Sequence, residues 1–221
     1  VLVLAGLVAL VIPLAGAISS ASAGALNTKD SQSLGEVLRE ARRHTGFWML
    51  VTGFFVCGFQ VQFINAHLPA YLGDSPLGES MGAVAIALIG FFNMIGTWIS
   101  GWLGGRYRKK YLLSGIYASR SLAIIGFITL PLSTTSVVIF AALIGLLWLA
   151  TVPLTSGIVV QMFGPRYLAT LYGMVFLSHQ LGSFSGVWMG GHIFDQTGSY
   201  GPVWMAVIIA GFLAALLHWP I

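Results

Sequence analysis

The sequence predicts an all-α polytopic transmembrane helix bundle of about seven spans. Apolar runs of roughly 20 residues, the length needed to cross a hydrocarbon core, recur along almost the whole chain. Charged residues make up 7% of the 221 positions, against about 25% in soluble domains. Lysines and arginines fall mainly between the apolar runs, as topology signals do.

Hydrophobic residues reach 57%, which excludes a water-soluble domain. The net charge of +4 sits at run ends and therefore reads as membrane topology, with no nucleic-acid partner. Cys57 is the single cysteine, so neither a disulfide framework nor a CxxC metal site is available. No metal and no cofactor are expected.

Spans are expected at 1–18, 47–71, 81–103, 111–132, 136–163, 168–194 and 200–219. The first, VLVLAGLVALVIPLAGAI, has neither a basic leader nor a small-residue cleavage site and is expected to be a helix entered partway. Residues 19–46 are polar and begin with small residues. Leu34, Val37, Leu38 and Ala41 then fall at helical spacing, as in an amphipathic helix lying at a membrane surface.

The span 47–71 carries Gln60, Gln62, Asn65 and His67 in an apolar context. Gln60 and His67 are seven apart and share a helix face, with Gln62 and Asn65 about half a turn away. One pair is thus expected to line a path and the other to bond a neighbouring helix. His67, near the outer interface, is a candidate proton relay, set against an ordinary interfacial histidine.

Arg120 is the one charge well inside a span, in YLLSGIYASRSLAIIGFITL. Holding it there costs roughly 2.5 to 3.5 kcal/mol on insertion scales, so it should face a cavity or a partner. Its planar fork suits a carboxylate and makes it a candidate substrate ligand. The alternative is a structural arginine bonded to backbone carbonyls or to an acid elsewhere.

In the span 136–163, Pro153 is expected to kink the helix near Leu149. Trp148, Thr151 and Thr155 form a stripe there that suits the wall of a small-solute site, or plain packing. His179 shares a line with Ser183 and Gly186; it is read as a hydrogen-bonded structural histidine, with a proton relay as the second possibility. Gly182, Gly186 and Gly190 repeat every four residues, the pattern of close helix approach in lipid.

Lys29, Arg39, Arg42, Arg43, Arg106, Arg108, Lys109, Lys110 and Arg166 all fall on one side if the spans alternate. The positive-inside rule makes that side cytoplasmic, with the N-terminus outside and the C-terminus inside. No H-E-x-x-H, G-x-S-x-G or Walker loop occurs, and no carboxylates cluster at membrane depth, so no enzyme is expected.

The turn after the span 81–103 reads GWLGGRYRKKYLL. It resembles the signature loop of the major facilitator superfamily, G-x-L-x-D-R-x-G-R-R, matched by Gly101, Leu103, Arg106, Lys109 and Lys110. Gly105 stands where the family has its acid, and Arg108 where it has glycine. The resemblance implies that 1–18 is part of the sixth of twelve helices, 19–46 the cytoplasmic central linker and 47–221 the C-terminal six-helix half, with about five helices preceding.

NAHLPAYLGDSPLG and GGHIFDQTGSYGPVW further resemble bacterial monocarboxylate and oxalate/formate carriers. That likeness implies alternating-access transport of a small organic anion across a bacterial inner membrane, possible only with the missing N-terminal half. A substrate would meet Arg120, Gln60, Trp148, Thr151 and Thr155; a coupling proton would use His67 or His179. Two other readings remain open: a seven-helix receptor, and a structural subunit whose glycine stripes only join helices.

Overall fold

The computed structural model describes residues 33–221, and every regular element in them is helical. The expected span 1–18 and the first half of the polar segment 19–46 lie outside the described residues. The helices are α1 (Leu34–Arg43), α2 (Thr45–Gly73), α3 (Glu79–Gly104), α4 (Lys109–Thr129), α5 (Thr134–Leu147), α6 (Thr151–Phe163), α7 (Leu168–Thr197) and α8 (Gly201–His218).

Among the described residues, five stretches are long and apolar enough to cross a membrane: α2, α3, α4, the run Thr134–Phe163 that contains α5 and α6, and α8. The sequence leads one to expect six spans over these residues. The difference is α7, which has the length at 30 residues but is diluted by Ser178, His179, Gln180, Ser183, Ser185 and His192. Those groups lie along a helix that packs lengthwise on α2.

The chain's own stop signals set the ends. The Ser133 hydroxyl accepts from the Ser136 amide at 3.1 Å in a capping box that starts α5. Gly198 closes α7 at φ 66°, a left-handed conformation glycine adopts without a Cβ penalty.

Three helix pairs organise the bundle: α2 with α7, α3 with α5, and α4 with α8. The first is the tightest. A Cβ added at Gly58 would overlap the His179 carbonyl, and one at Gly182 or Gly186 would overlap the carbonyls of Phe55 or Phe59. Lipid gives apolar helices no hydrophobic drive to associate, so this close approach supplies the van der Waals contact that holds the pair.

Helix α1 differs in detail from the sequence reading. Val37 and Ala41 are 1% exposed and join the bundle core against α2, while Leu34 stays 44% exposed, so protein covers part of its apolar side. The indole Nε1 of Trp48 donates to the Arg42 carbonyl at 2.9 Å and ties the α1–α2 corner. Two apolar clusters fill the interior, one around Phe63, Phe127, Phe140 and Trp204 and the other around Phe47, Leu50, Tyr117 and Leu154. Trp148 packs against both, which puts the α5–α6 junction where they meet.

Candidate functional site: a broken helix braced by its neighbours

The expected kink is a full break: α5 ends at Leu147, α6 begins at Thr151, and Trp148–Ala150 lies between them without helical structure. Pro153 contributes by lacking an N–H and by crowding the preceding turn. The break leaves backbone groups unpaired at the depth where two apolar clusters meet. In a membrane such groups are tolerated only when protein satisfies them.

Side chains from two other helices do so, and a third adds a side-chain contact. Arg120 of α4 donates through Nη2 to the carbonyls of Leu147, at 2.6 Å, and Trp148, at 2.9 Å. Asn93 of α3 accepts from the Leu149 amide at 3.1 Å. The Ser100 hydroxyl, also on α3, donates to the Ala150 carbonyl. Cys57 Sγ of α2 lies 3.3 Å from Thr151 Oγ1 at the first residue of α6.

Arg120 is 0% exposed. Its Nη1 donates to Gln60 Oε1 at 3.1 Å and lies 3.5 Å from Cys57 Sγ, and its guanidinium carbon is 5.5 Å from the Tyr117 ring centroid. The carbonyl end of α5 supplies partial negative charge to the cation, a role no acid inside a span takes here. Two buried atoms nearby have no partner among the described residues: Arg120 Nε and Thr155 Oγ1.

The remaining sequence candidates sort themselves around this centre. Gln60 is fully buried and donates through Nε2 to the Val207 carbonyl of α8 at 3.0 Å while accepting from Arg120. Thr151 and Thr155 are fully buried on one face of α6, one turn apart. Trp148 is half-buried beside them. These four and Arg120 therefore belong to, or adjoin, one polar centre.

His67 lies apart. Its Nε2 is 3.0 Å from the Val187 carbonyl of α7, an acceptor that fixes Nε2 as the protonated nitrogen. Gln60 and His67 thus both bond neighbouring helices, and Asn65 is the exposed residue of the other pair. His179 is 7% exposed, stacks on Phe176 at 5.5 Å, and has Nδ1 3.2 Å from Gln180 Oε1 and 3.4 Å from Ser183 Oγ.

The signature-like loop is tied to the same broken helix. A Cβ on Gly157 of α6 would meet Lys109 Cε at 2.5 Å, so the lysine stem lies in that notch. The Arg106 guanidinium sits 3.9 Å over the Trp102 ring, and Lys110 Nζ donates to the Ile221 carbonyl at 3.2 Å. Gly105, in the position of the family's acid, caps α3 and is exposed. At the far end of the bundle the Tyr200 phenol is held above its usual range by burial first, then by the charges of Asp74 and Asp195.

Sequence reasoning singled out Arg120 and the kink but missed Asn93 and Ser100 as the groups that complete the brace. The signal was present as Asn93, Thr97 and Ser100, three polar residues at helical spacing along one side of a largely apolar α3.

A bundle of membrane-length helices with one of them broken near its middle is an architecture that recurs among polytopic transport proteins. The chain belongs to the Major Facilitator Superfamily, whose family profile matches residues 1–187. It is also similar to the uncharacterized MFS-type transporter YcxA of Bacillus subtilis (strain 168), at 27% identity over 199 residues, 83% of this chain and 48% of that protein. The chain thus spans about half the length of the curated relative it matches. Membership in this superfamily removes the receptor reading.

Proposed function

We propose that the chain is the C-terminal half of a carrier that moves a small solute by alternating access, with the preceding half of the same polypeptide forming the other wall. The observation that carries this reading is the α5–α6 break, an interruption of a membrane-length helix, lying beside a buried arginine. Broken helices line solute sites in secondary transporters because their free backbone ends can coordinate a ligand.

The proposed solute is an organic anion such as a monocarboxylate, and the proposed site is Arg120 with Gln60, Trp148, Thr151 and Thr155. Support comes from the free Arg120 Nε and Thr155 hydroxyl and from the lack of a mid-span acid. An anion entering here would compete with the Leu147 and Trp148 carbonyls for the guanidinium, so binding and helix rearrangement would be one event. His179 is the better placed of the two proposed proton relays, because Cys57, itself bonded to Arg120, is among its neighbours. The proposed setting is a bacterial inner membrane with α1, Arg106, Lys109, Lys110 and the C-terminus on the cytoplasmic side.

A second reading follows from the same bonds: Arg120 acts only as the brace of the break. The test is uptake of labelled lactate, formate and oxalate into vesicles holding the full-length parent, compared with Arg120→Gln and Arg120→Lys at matched expression. Loss of saturable uptake of one anion in both variants supports the anion site. Uptake that survives in Arg120→Lys with an unchanged KM assigns the residue to the brace. Adding His67→Gln and His179→Gln and dissipating the pH gradient tests the relay: a true relay variant keeps exchange and loses gradient-driven accumulation.

A further inference from the structure

Cys57, midway along α2, is the chain's one cysteine, and it is fully buried. Its sulfur meets groups from three other helices. Arg120 Nη1 of α4 lies 3.5 Å away, Thr151 Oγ1 of α6 lies 3.3 Å away, and the His179 ring of α7 is within hydrogen-bonding reach. Tyr117 of α4 and Tyr172 of α7 are the other ionisable side chains that face it.

The charge balance around Arg120 decides the form of this sulfur. An arginine stays protonated in a protein interior. Arg120 is 0% exposed, so its counter-charge has to come from a group already packed on it. Its other hydrogen-bond partners are the Leu147 and Trp148 carbonyls and the Gln60 amide oxygen, all neutral. Tyr117 keeps its proton, because its hydroxyl donates to the Gly53 carbonyl at 2.7 Å. Among these contacts that leaves the Cys57 sulfur to carry a negative charge.

Burial by itself opposes a thiolate, as it opposes any lone charge. Here the cation is buried already, and a buried charge left without its partner is the costlier state. Two further features favour the anion. Thr151 can turn its hydroxyl hydrogen toward the sulfur. As the first residue of the 13-residue α6, it also brings the positive end of that helix to the same place. We propose that Cys57 is a thiolate, the counter-ion of Arg120, and therefore a proton-binding site within the brace.

What this does for transport rests on the carrier reading. An anion that takes the guanidinium leaves the thiolate without its counter-charge, and the sulfur then binds one proton as S–H. His179 is the neighbour suited to deliver it, histidine being the side chain that exchanges protons near neutral pH. Before the exchange the pair is Arg120 cation and Cys57 thiolate; after it, the carboxylate balances Arg120 and the thiol is neutral. The site stays neutral throughout, so anion and proton cross together.

The ionisation state has a direct signature in the infrared S–H stretching band, which a thiol shows and a thiolate lacks. An ordinary cysteine, with a pKa of about 8.5, shows that band at neutral pH. Spectra of the full-length protein in lipid vesicles at neutral pH, each minus that of the same protein carrying Cys57→Ser, isolate this residue from any other cysteine of the parent. The expected result is no S–H band in the wild type or in Arg120→Lys, which keeps the charge, and a band in Arg120→Gln. A band in the wild type overturns the proposal whether or not the variants fold, as does its absence in Arg120→Gln. For the coupling role, accumulation of labelled lactate, formate and oxalate on a pH gradient should be lost in Cys57→Ser and restored in Cys57→Asp, which puts another ionisable acid beside Arg120. Accumulation that persists in Cys57→Ser, or is not restored in Cys57→Asp, overturns that role. Absence of all accumulation in the wild type overturns it together with the anion-carrier reading, while the S–H band decides the ion pair independently of transport.

Discussion

Arg120 on α4 donates to the Leu147 carbonyl at 2.6 Å, closing the end of α5 from a neighbouring helix. Its Nη2 also takes the Trp148 carbonyl and its Nη1 takes Gln60 Oε1, so one guanidinium joins α2, α4 and the break. Removing it leaves two carbonyls and an amide oxygen unsatisfied in an apolar interior. Arg120→Gln should therefore destabilise the bundle by about 3 kcal/mol, and Arg120→Lys by less, because lysine keeps the charge and loses the fork. Thermal unfolding of the purified full-length protein in a mild detergent checks this. Equal melting temperatures for all three proteins would remove the brace.

Asn93 has a narrower role, which makes its substitutions diagnostic. Its Oδ1 accepts from the Leu149 amide and from Thr97 Oγ1 at 3.3 Å. The break needs an acceptor there, not an amide as such. Asn93→Leu should cost about 1–3 kcal/mol by leaving a part-buried N–H unpaired, whereas Asn93→Asp keeps the acceptor but adds the cost of a charge inside a span, so the two are compared at the Leu149 amide and not by overall stability. Hydrogen exchange at Leu149 is the direct measurement. Faster exchange in Asn93→Leu than in Asn93→Asp is expected, and identical rates would mean that Leu149 is not held by this side chain.

Helix positions were legible in the sequence because lipid imposes length and polarity rules on every span. Residues 47–71 match α2 and 81–103 match α3 to within two residues at each end. The kink near Leu149 was legible from Pro153 alone. What closes the break was not, because its partners come from remote chain positions: Arg120 lies 27 residues from Leu147, Asn93 56 from Leu149, and Cys57 94 from Thr151. A buried arginine announces that it needs partners, and composition cannot tell whether they are substrate oxygens or carbonyls of a broken helix. Asn93 and Ser100 drew little notice because a polar residue in an apolar span has many possible uses.

The glycine stripe on α7 makes a prediction that separates packing from flexibility. A methyl at Gly182 would overlap the Phe55 carbonyl, a backbone atom that no rotamer change can move. At Gly173, on the same helix, a methyl meets nothing within 4 Å. Gly182→Ala should destabilise by about 1–3 kcal/mol through overpacking. Gly173→Ala should be neutral or slightly stabilising, since alanine costs less helix entropy. Melting temperatures of the two variants decide the point. A neutral Gly182→Ala would show that α2 and α7 are not in close contact.

Pro153 and the three braces offer two different causes for the same break, and they can be separated. Pro153 is the third residue of α6, where its missing N–H is among those a helix start leaves unpaired in any case. Its ring disfavours helical continuation through Leu149, yet the Leu149 carbonyl already accepts from the Val152 amide at 3.0 Å. Replacing the proline alone leaves Arg120, Asn93 and Ser100 holding Trp148–Ala150 in place. Pro153→Ala should therefore keep the break, with uptake by the full-length parent within about twofold of wild type, a free-energy change under 1 kcal/mol. Combining Pro153→Ala with Asn93→Leu and Ser100→Ala removes the exclusion and two of the three braces. In that triple variant α5 and α6 should join into one helix, seen as slowed hydrogen exchange across residues 148–152, and uptake should fall with it. If Pro153→Ala alone slows that exchange, the proline rather than the polar brace maintains the break, and the side chains on α3 and α4 merely fill the gap it opens.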